Sequence, residues 1–248
     1  MRWPLNRDRL RRWSSRRRVR RTVAAASRVV PIDDAVLVAE PFVVGDGRRV
    51  RLAPVSAVNR SGRVLDGRRS VRHGGRVHVS ALASTLLAAH RVLSFAEGDD
   101  GYVRTWRPAP SAGGRHPIEL LVSSRVDGLD DGSWLFDPLL GELVASDVLT
   151  ARADRTVLDL VGVPEDTTVI FLMADFQRTL ARYRRGESLV WRDSGALAAT
   201  LQLAACGAGL SSCIAGTAGL IGDVNGRFVV GAVVVGPGLS ERPSSPTA

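Results

Sequence analysis

Three short apolar runs rich in β-branched residues, Ile118 to Ser124, Thr168 to Ala174 and Phe228 to Val235, recur down the chain with helical patterns between them. Runs of this length and composition read as buried strands. Asp147 to Val161 reads as a helix stopped by Gly162 and Pro164, and Asp193 to Gly209 as the strongest helix, its C-terminal end marked by Gly207 and Gly209. Trp134 to Phe136 adds a strand after a turn at Asp127 to Gly132, and a further hairpin is expected over Val36 to Leu52 around Gly45-Asp46-Gly47. Ser80 is expected to cap a helix running to about Leu93, with a polar stretch at Asn59 to Gly67 before it and a loop at Glu97 to Arg107 after it. Strands separated by helices, with hairpin-like pairs among them, make this an α+β chain with a mixed sheet.

The charge is unevenly placed. Of 34 basic and 25 acidic residues in a chain of 248, residues 1–21 hold ten arginines and one acid, Asp8, so the remainder is balanced. An arginine block can bind nucleic acid or an anionic surface, and Ser15-Arg16-Arg17-Arg18-Val19 invites a twin-arginine export reading. The stretch after it, Thr22 to Val30, is short and broken by Arg28, so a solvated tail on a cytoplasmic protein is expected. The balanced body shows no basic, aromatic-interleaved pattern, which argues against a nucleic-acid function. No run reaches the ~18 apolar residues of a membrane span. Cys206 and Cys213 are too few for a disulfide scaffold, no cluster has zinc-ligand spacing, and both read as small hydrophobes. The expected organisation is a basic arm at 1–30, a small β-hairpin region at 31–66, a main domain at 67–238 and a flexible tail at 239–248.

Four segments carry candidate chemistry. Arg68, Arg69, Ser70 and Arg72 crowd three guanidinium groups and a hydroxyl into five residues, the donor set of a phosphomonoester clamp. Pro110-Ser111-Ala112-Gly113-Gly114-Arg115-His116-Pro117 places two glycines between two prolines ahead of a buried strand, a loop whose backbone can approach a flat ligand closely. Within it His116 is either a proton donor or a turn cap. Tyr183, among Arg182, Arg184 and Arg185, sits in a positive field that favours phenolate, as a general base requires. Leu210 to Gly216 leaves the strongest helix with small residues whose backbone amides can face the edge of a ring system.

In this order, with Glu119, Arg178-Thr179, Ser194-Gly195 and Gly209-Leu210-x-x-Cys213-Ile214-x-Gly216, the set resembles the nitroreductase-like flavoproteins, and more narrowly the SagB-type (McbC-like) azoline dehydrogenases, over about Arg68 to Gly236. The resemblance implies a mainly antiparallel sheet flanked by helices in an intertwined homodimer, with FMN at each of two subunit interfaces. It implies that Arg68, Arg69, Ser70 and Arg72 hold the FMN phosphate. Ser111, Ala112, Gly113 and Gly114 then lie against the ring and ribityl chain, and Ala215 and Gly216 face the ring edge. It further implies oxidation of thiazoline or oxazoline rings in a ribosomally made peptide, with Tyr183 and Arg182 catalytic. A cyclodehydratase or leader-binding protein is the implied partner. Arg182 stands where the family pattern has lysine, and arginine remains protonated, so a role needing a neutral amine is lost. Two other functions fit the same residues: a general NAD(P)H-dependent FMN reductase of nitro compounds or quinones, and a non-catalytic relative that scaffolds a modification complex.

Overall fold

The computed structural model describes residues 60–97, 102–123, 125–146, 151–216, 223–224 and 227–238. The basic arm, the hairpin expected over Val36 to Leu52, Asp147 to Thr150 and the C-terminal tail lie outside the described residues.

A seven-stranded sheet forms the centre. We label its strands β4 (Ile118–Ser123), β6 (Ser133–Asp137), β7 (Glu142–Ser146), β8 (Thr168–Ala174), β9 (Leu210–Ala215), β10 (Asp223–Val224) and β11 (Arg227–Pro237). Their order is β10-β11-β8-β4-β6-β7, with β9 also on β11, and every pairing is antiparallel. The other pairs are β2 (Ser94–Glu97) with β3 (Val103–Trp106), antiparallel, and β1 (Val77–His78) with β5 (Val126–Asp127), parallel. The expected mainly antiparallel sheet is therefore present, and the parallel pairing is confined to the separate β1–β5 pair.

Alternation along the central strands sends side chains to two cores. Ile118, Leu120 and Val122 of β4 and Ile170, Leu172 and Ala174 of β8 join Leu82, Leu86, Leu197 and Leu201 of helices α2 (Val79–His90) and α5 (Glu187–Gly207). Leu121, Val169, Phe171 and Met173 point the other way, onto Val157, Leu158 and Val161 of α3 (Ala151–Val161). With both faces covered, β8 has no solvent-side positions, which is why it reads as an unbroken apolar run. A bulge between Val229 and Gly231 shifts the register of β11 against β8.

Several local expectations are corrected. The polar stretch before Arg68 is helix α1 (Arg60–Gly67), held on α5 by Val64 against Gly207 and by the Cys206 thiol near the Val64 carbonyl. Tertiary packing overrides its weak propensity. The cap of α2 is His78, whose side chain accepts from the Ser80 N–H, and the helix ends at His90 rather than Leu93. The loop expected at Glu97 to Arg107 contains β3. Leu210 to Ala215, where small residues follow the strongest helix, is a strand, and α5 begins six residues before Asp193.

Candidate functional site

The segment from Pro110 to Pro117 joins β3 to β4 and is pinned by one buried carboxylate. Ser111 Oγ donates to Asp193 Oδ2 at 2.6 Å, and the Ala112 N–H donates to Asp193 Oδ1 at 3.1 Å. The Ser111 hydroxyl also accepts from the His116 N–H at 2.8 Å, closing the loop on itself. Burial raises the Asp193 pKa, opposed by the bonds from Ser111 and Ala112.

Ala112–Gly114 forms a single tight turn in which Gly113 (φ 62°) and Gly114 (φ 64°) are both left-handed. A Cβ on Gly113 would stand 2.5 Å from the Tyr183 hydroxyl oxygen, so the tyrosine lies directly on the bare backbone. Tyr183 is delivered by α4 (Phe176–Leu180) and the turn after it. Asp175 caps that helix through the Gln177 N–H, its own N–H donates to the Pro117 carbonyl, and the Tyr183 N–H donates to Thr179. Arg178 donates to Glu119 Oε1 at 2.5 Å and to the His116 carbonyl, and Arg227 pairs with the same Glu119.

Together these elements enclose a cavity of about 450 Å³ lined by Ser111, Gly113, Gly114, His116, Arg182 and Tyr183, with Arg104, Trp106, Arg107 and Arg115 on its other walls. His116 is buried at φ 41°, and its Nε2–H donates to the Thr105 carbonyl at 2.9 Å. Burial, then the neighbouring Arg107, pushes its pKa down to about 4, so at neutral pH it is an uncharged turn element rather than a proton donor. His90 behind it is held down to about 3, chiefly by burial.

The arginine cluster lies elsewhere in the chain. The Val71 N–H donates to the Ser212 carbonyl, and the Ser70 hydroxyl is 3.5 Å from Gln202 Nε2, at the end of β9 where Ser212 pairs with Val235. Arg69 turns its guanidinium back onto the Asp66 and Arg68 carbonyls, while Ser70 and Arg72 are exposed. Ala215 is buried at the other end of β9, and a Cβ on Gly216 would meet open space. The structure thus gathers Ser111, Gly113, Gly114, Arg182 and Tyr183 onto one cavity, while Ala112 is turned to Asp193 through its N–H. It leaves Arg68 to Arg72 and Ala215 to Gly216 along β9, three strand positions from β4, roughly 14 Å at the usual strand spacing. Asp193 and Arg107 carry the site without standing out as motifs. The sequence signal for Asp193 is an acid on the buried stripe of α5 shared by Val190, Leu197 and Leu201.

Among the described residues no helix is long and apolar enough to cross a membrane, and no His, Cys, Asp and Glu grouping can hold a metal ion. The two cysteines are free thiols.

An antiparallel sheet flanked by helices, with a glycine loop and a tyrosine on one cavity, is thus the frame of the site. The chain belongs to the nitroreductase family, which it matches over residues 65–220. Among solved structures it is similar to the Escherichia coli microcin synthetase McbBCD complex with truncated pro-MccB17 bound. That match has a TM-score of 0.56 at 19% identity, over 88% of this chain and 87% of that one. A protein assigned as a nitroreductase from Ralstonia eutropha gives 0.54 at 20% identity, over 80% and 93%. One from Anabaena variabilis gives 0.52 at 22% identity, over 63% of this chain and 34% of that chain, so this chain spans about a third of the Anabaena protein. No curated protein sequence matches the chain.

Proposed function

We propose that the protein is an FMN-dependent azoline dehydrogenase that oxidises thiazoline or oxazoline rings in a ribosomally made peptide. The observation that carries this reading is the contact of the Tyr183 hydroxyl with the bare backbone of Gly113 inside a cavity that also holds Arg182.

The residues fit the cofactor. Among the described residues, Arg68 and Arg72 meet no carboxylate, so two guanidinium groups stand available to a phosphate. From Ser212, beside Val71, to Ala215 is three residues of strand, about 10 Å, comparable with the ribityl-phosphate arm of FMN. Gly113 and Gly114 offer a surface without side chains for the ring. Arg68, Ser70 and Arg72, with Arg69 beside them, would hold the phosphate, and Ala215 and Gly216 the ring edge. The Ser111 to Gly114 loop, set apart from them within one chain, would come from a second subunit, making the site a property of a homodimer within a domain spanning 67–238.

When bound, FMN would supply hydride-accepting chemistry for the Cβ hydrogen of the azoline. Tyr183 takes the Cα proton, the electron pair of that bond becomes the new ring double bond, and Arg182 offsets the phenolate charge. The Asp193–Ser111 bond fixes the loop on which this tyrosine rests. The peptide's leader would be held by a separate cyclodehydratase or leader-binding protein.

A general NAD(P)H-dependent nitro or quinone reductase is the second reading, favoured by the Ralstonia and Anabaena likenesses at comparable scores. The test supplies the flavin-loaded protein with a thiazoline-bearing peptide and, separately, with NADPH and a nitroaromatic. A mass loss of two hydrogens from the peptide supports the dehydrogenase. Turnover of the nitroaromatic alone establishes the reductase, and turnover of neither leaves the scaffold role.

A further inference from the structure

We propose that the cavity under the Pro110 to Gly114 loop selects an acidic peptide segment, recognising carboxylates that flank the reacting ring. This rests on the reading of a peptide substrate and adds its charge class.

The lining contains Arg104, Arg107, Arg115 and Arg182 and no aspartate or glutamate. Arg115 is committed to stacking on Tyr102, 3.9 Å from its ring centroid. Arg107 is the revealing residue. It is half-buried between this cavity and a second one of about 330 Å³, yet its hydrogen-bond partners are neutral: Thr105 Oγ1 at 3.1 Å and His90 Nε2 at 2.8 Å. Glu119, the acid beside it, is already shared between Arg178 and Arg227. Among the described residues Arg107 forms no ion pair. The carboxylates that act on it, Glu119 and Asp137, lie on the second cavity and neither forms an ion pair with it, so no counter-charge faces it in the first cavity, where a ligand carboxylate would supply one.

The surroundings register the same excess. His90 and His116 are both held uncharged, with Arg107 next after burial among the causes, and burial followed by Arg178 lowers Arg107 itself to about 10. Arg182 stands exposed beside Tyr183, so a carboxylate bound at this wall lies in the same cavity as the proposed base. Arg107 and Arg182 come from the residue after β3 and from the turn following α4, two separate elements suited to charges spaced along a chain. Trp106, half exposed, adds an apolar wall for the intervening residues.

The test is calorimetric binding of two blocked tetrapeptides, one with two glutamates and one with glutamines in their place, to the flavin-loaded full chain at low and physiological salt. The acidic peptide is expected to bind at least about tenfold tighter, as one charge-assisted contact gives, with the gap narrowing in salt. Arg107→Gln and Arg182→Gln should each erase most of the preference, and the exposed Arg182 keeps the test open if Arg107→Gln does not fold. Equal binding of the two peptides overturns the proposal. So does a preference that both variants leave unchanged, or displacement of the acidic peptide by inorganic pyrophosphate that binds more tightly. The binding measurement involves no turnover, so it stands apart from the dehydrogenase reading. Selective binding without ring oxidation would sink only the reaction. Oxidation of neutral-flanked and acidic-flanked rings at equal kcat/KM would sink only the charge selection.

Discussion

Ser111 and Asp193 stand 82 residues apart and are joined by a 2.6 Å hydrogen bond, with the same carboxylate accepting from the Ala112 N–H. This one group ties the glycine loop to the longest helix of the structure, and it does so from a buried position. The Ser111 hydroxyl spends its proton on Asp193 and one lone pair on the His116 N–H, so it acts as a staple inside the loop.

Asp193→Ala should therefore strand both the Ser111 hydroxyl and the Ala112 N–H. The expected loss is about 1–3 kcal/mol of stability, the cost of unsatisfied buried donors, together with weaker flavin retention. Asp193→Asn keeps an acceptor and should fall between. Thermal unfolding and flavin content of the two variants check this, and wild-type flavin content in Asp193→Ala would contradict it.

Gly113→Ala meets two obstacles at once. Its φ of +62° costs a side-chain-bearing residue about 1–2 kcal/mol. The new methyl would also stand 2.5 Å from the Tyr183 hydroxyl oxygen and must push it aside. Ring oxidation should fall well beyond what the stability loss explains, as measured by kcat on protein that remains folded. An unchanged kcat would show that the tyrosine's seat on the loop is immaterial.

The two buried histidines make stability pH-dependent. Each is uncharged when folded, with pKa values near 3 for His90 and 4 for His116 against an ordinary 6.5. The unfolded chain binds the extra protons, so their contribution is complete above about 6.5. It is lost as the pH falls toward 4, at up to about 1.4 kcal/mol per pH unit for each. Asp193, whose pKa is raised, contributes in the opposite sense, losing stability as the pH rises through its folded value. Urea unfolding at pH 7 and pH 5 should show the histidine loss, and His116→Asn, which tolerates the positive φ, should flatten it. Stability that does not fall between those pH values would contradict the assignment of neutral histidines.

Tyr183→Phe removes one oxygen and leaves the ring that packs on Gly113. Oxidation of the azoline should be abolished while flavin stays bound. Undiminished turnover in a peptide mass assay would remove Tyr183 from the role of base.

How far the fold could be read from sequence depends on how completely each element is buried. The strands Ile118–Ser123 and Thr168–Ala174 are covered on both faces, so continuous apolar runs marked them within a residue. β7 lies at the sheet edge with only Leu143 and Ser146 half-buried and no buried residue, so it has no such signature. Helix α1 is short and polar and exists because α5 receives it, a contact no local pattern announces. The glycine loop and Tyr183 were legible because glycine pairs and arginine-flanked tyrosines stand out in composition. Their meeting at Gly113 was not, since it depends on where α4 leaves the end of β8. Arg107 carries no signal in the sequence because its meaning lies in Glu119 being occupied by Arg178 and Arg227, which only the fold decides.

The most direct measurement is the absorption spectrum of the purified, undialysed protein, followed by heat release and identification of the chromophore. The account predicts FMN released in an amount equimolar with the chain, and its loss from Arg72→Ala. A colourless protein that also fails to take up added FMN would contradict it.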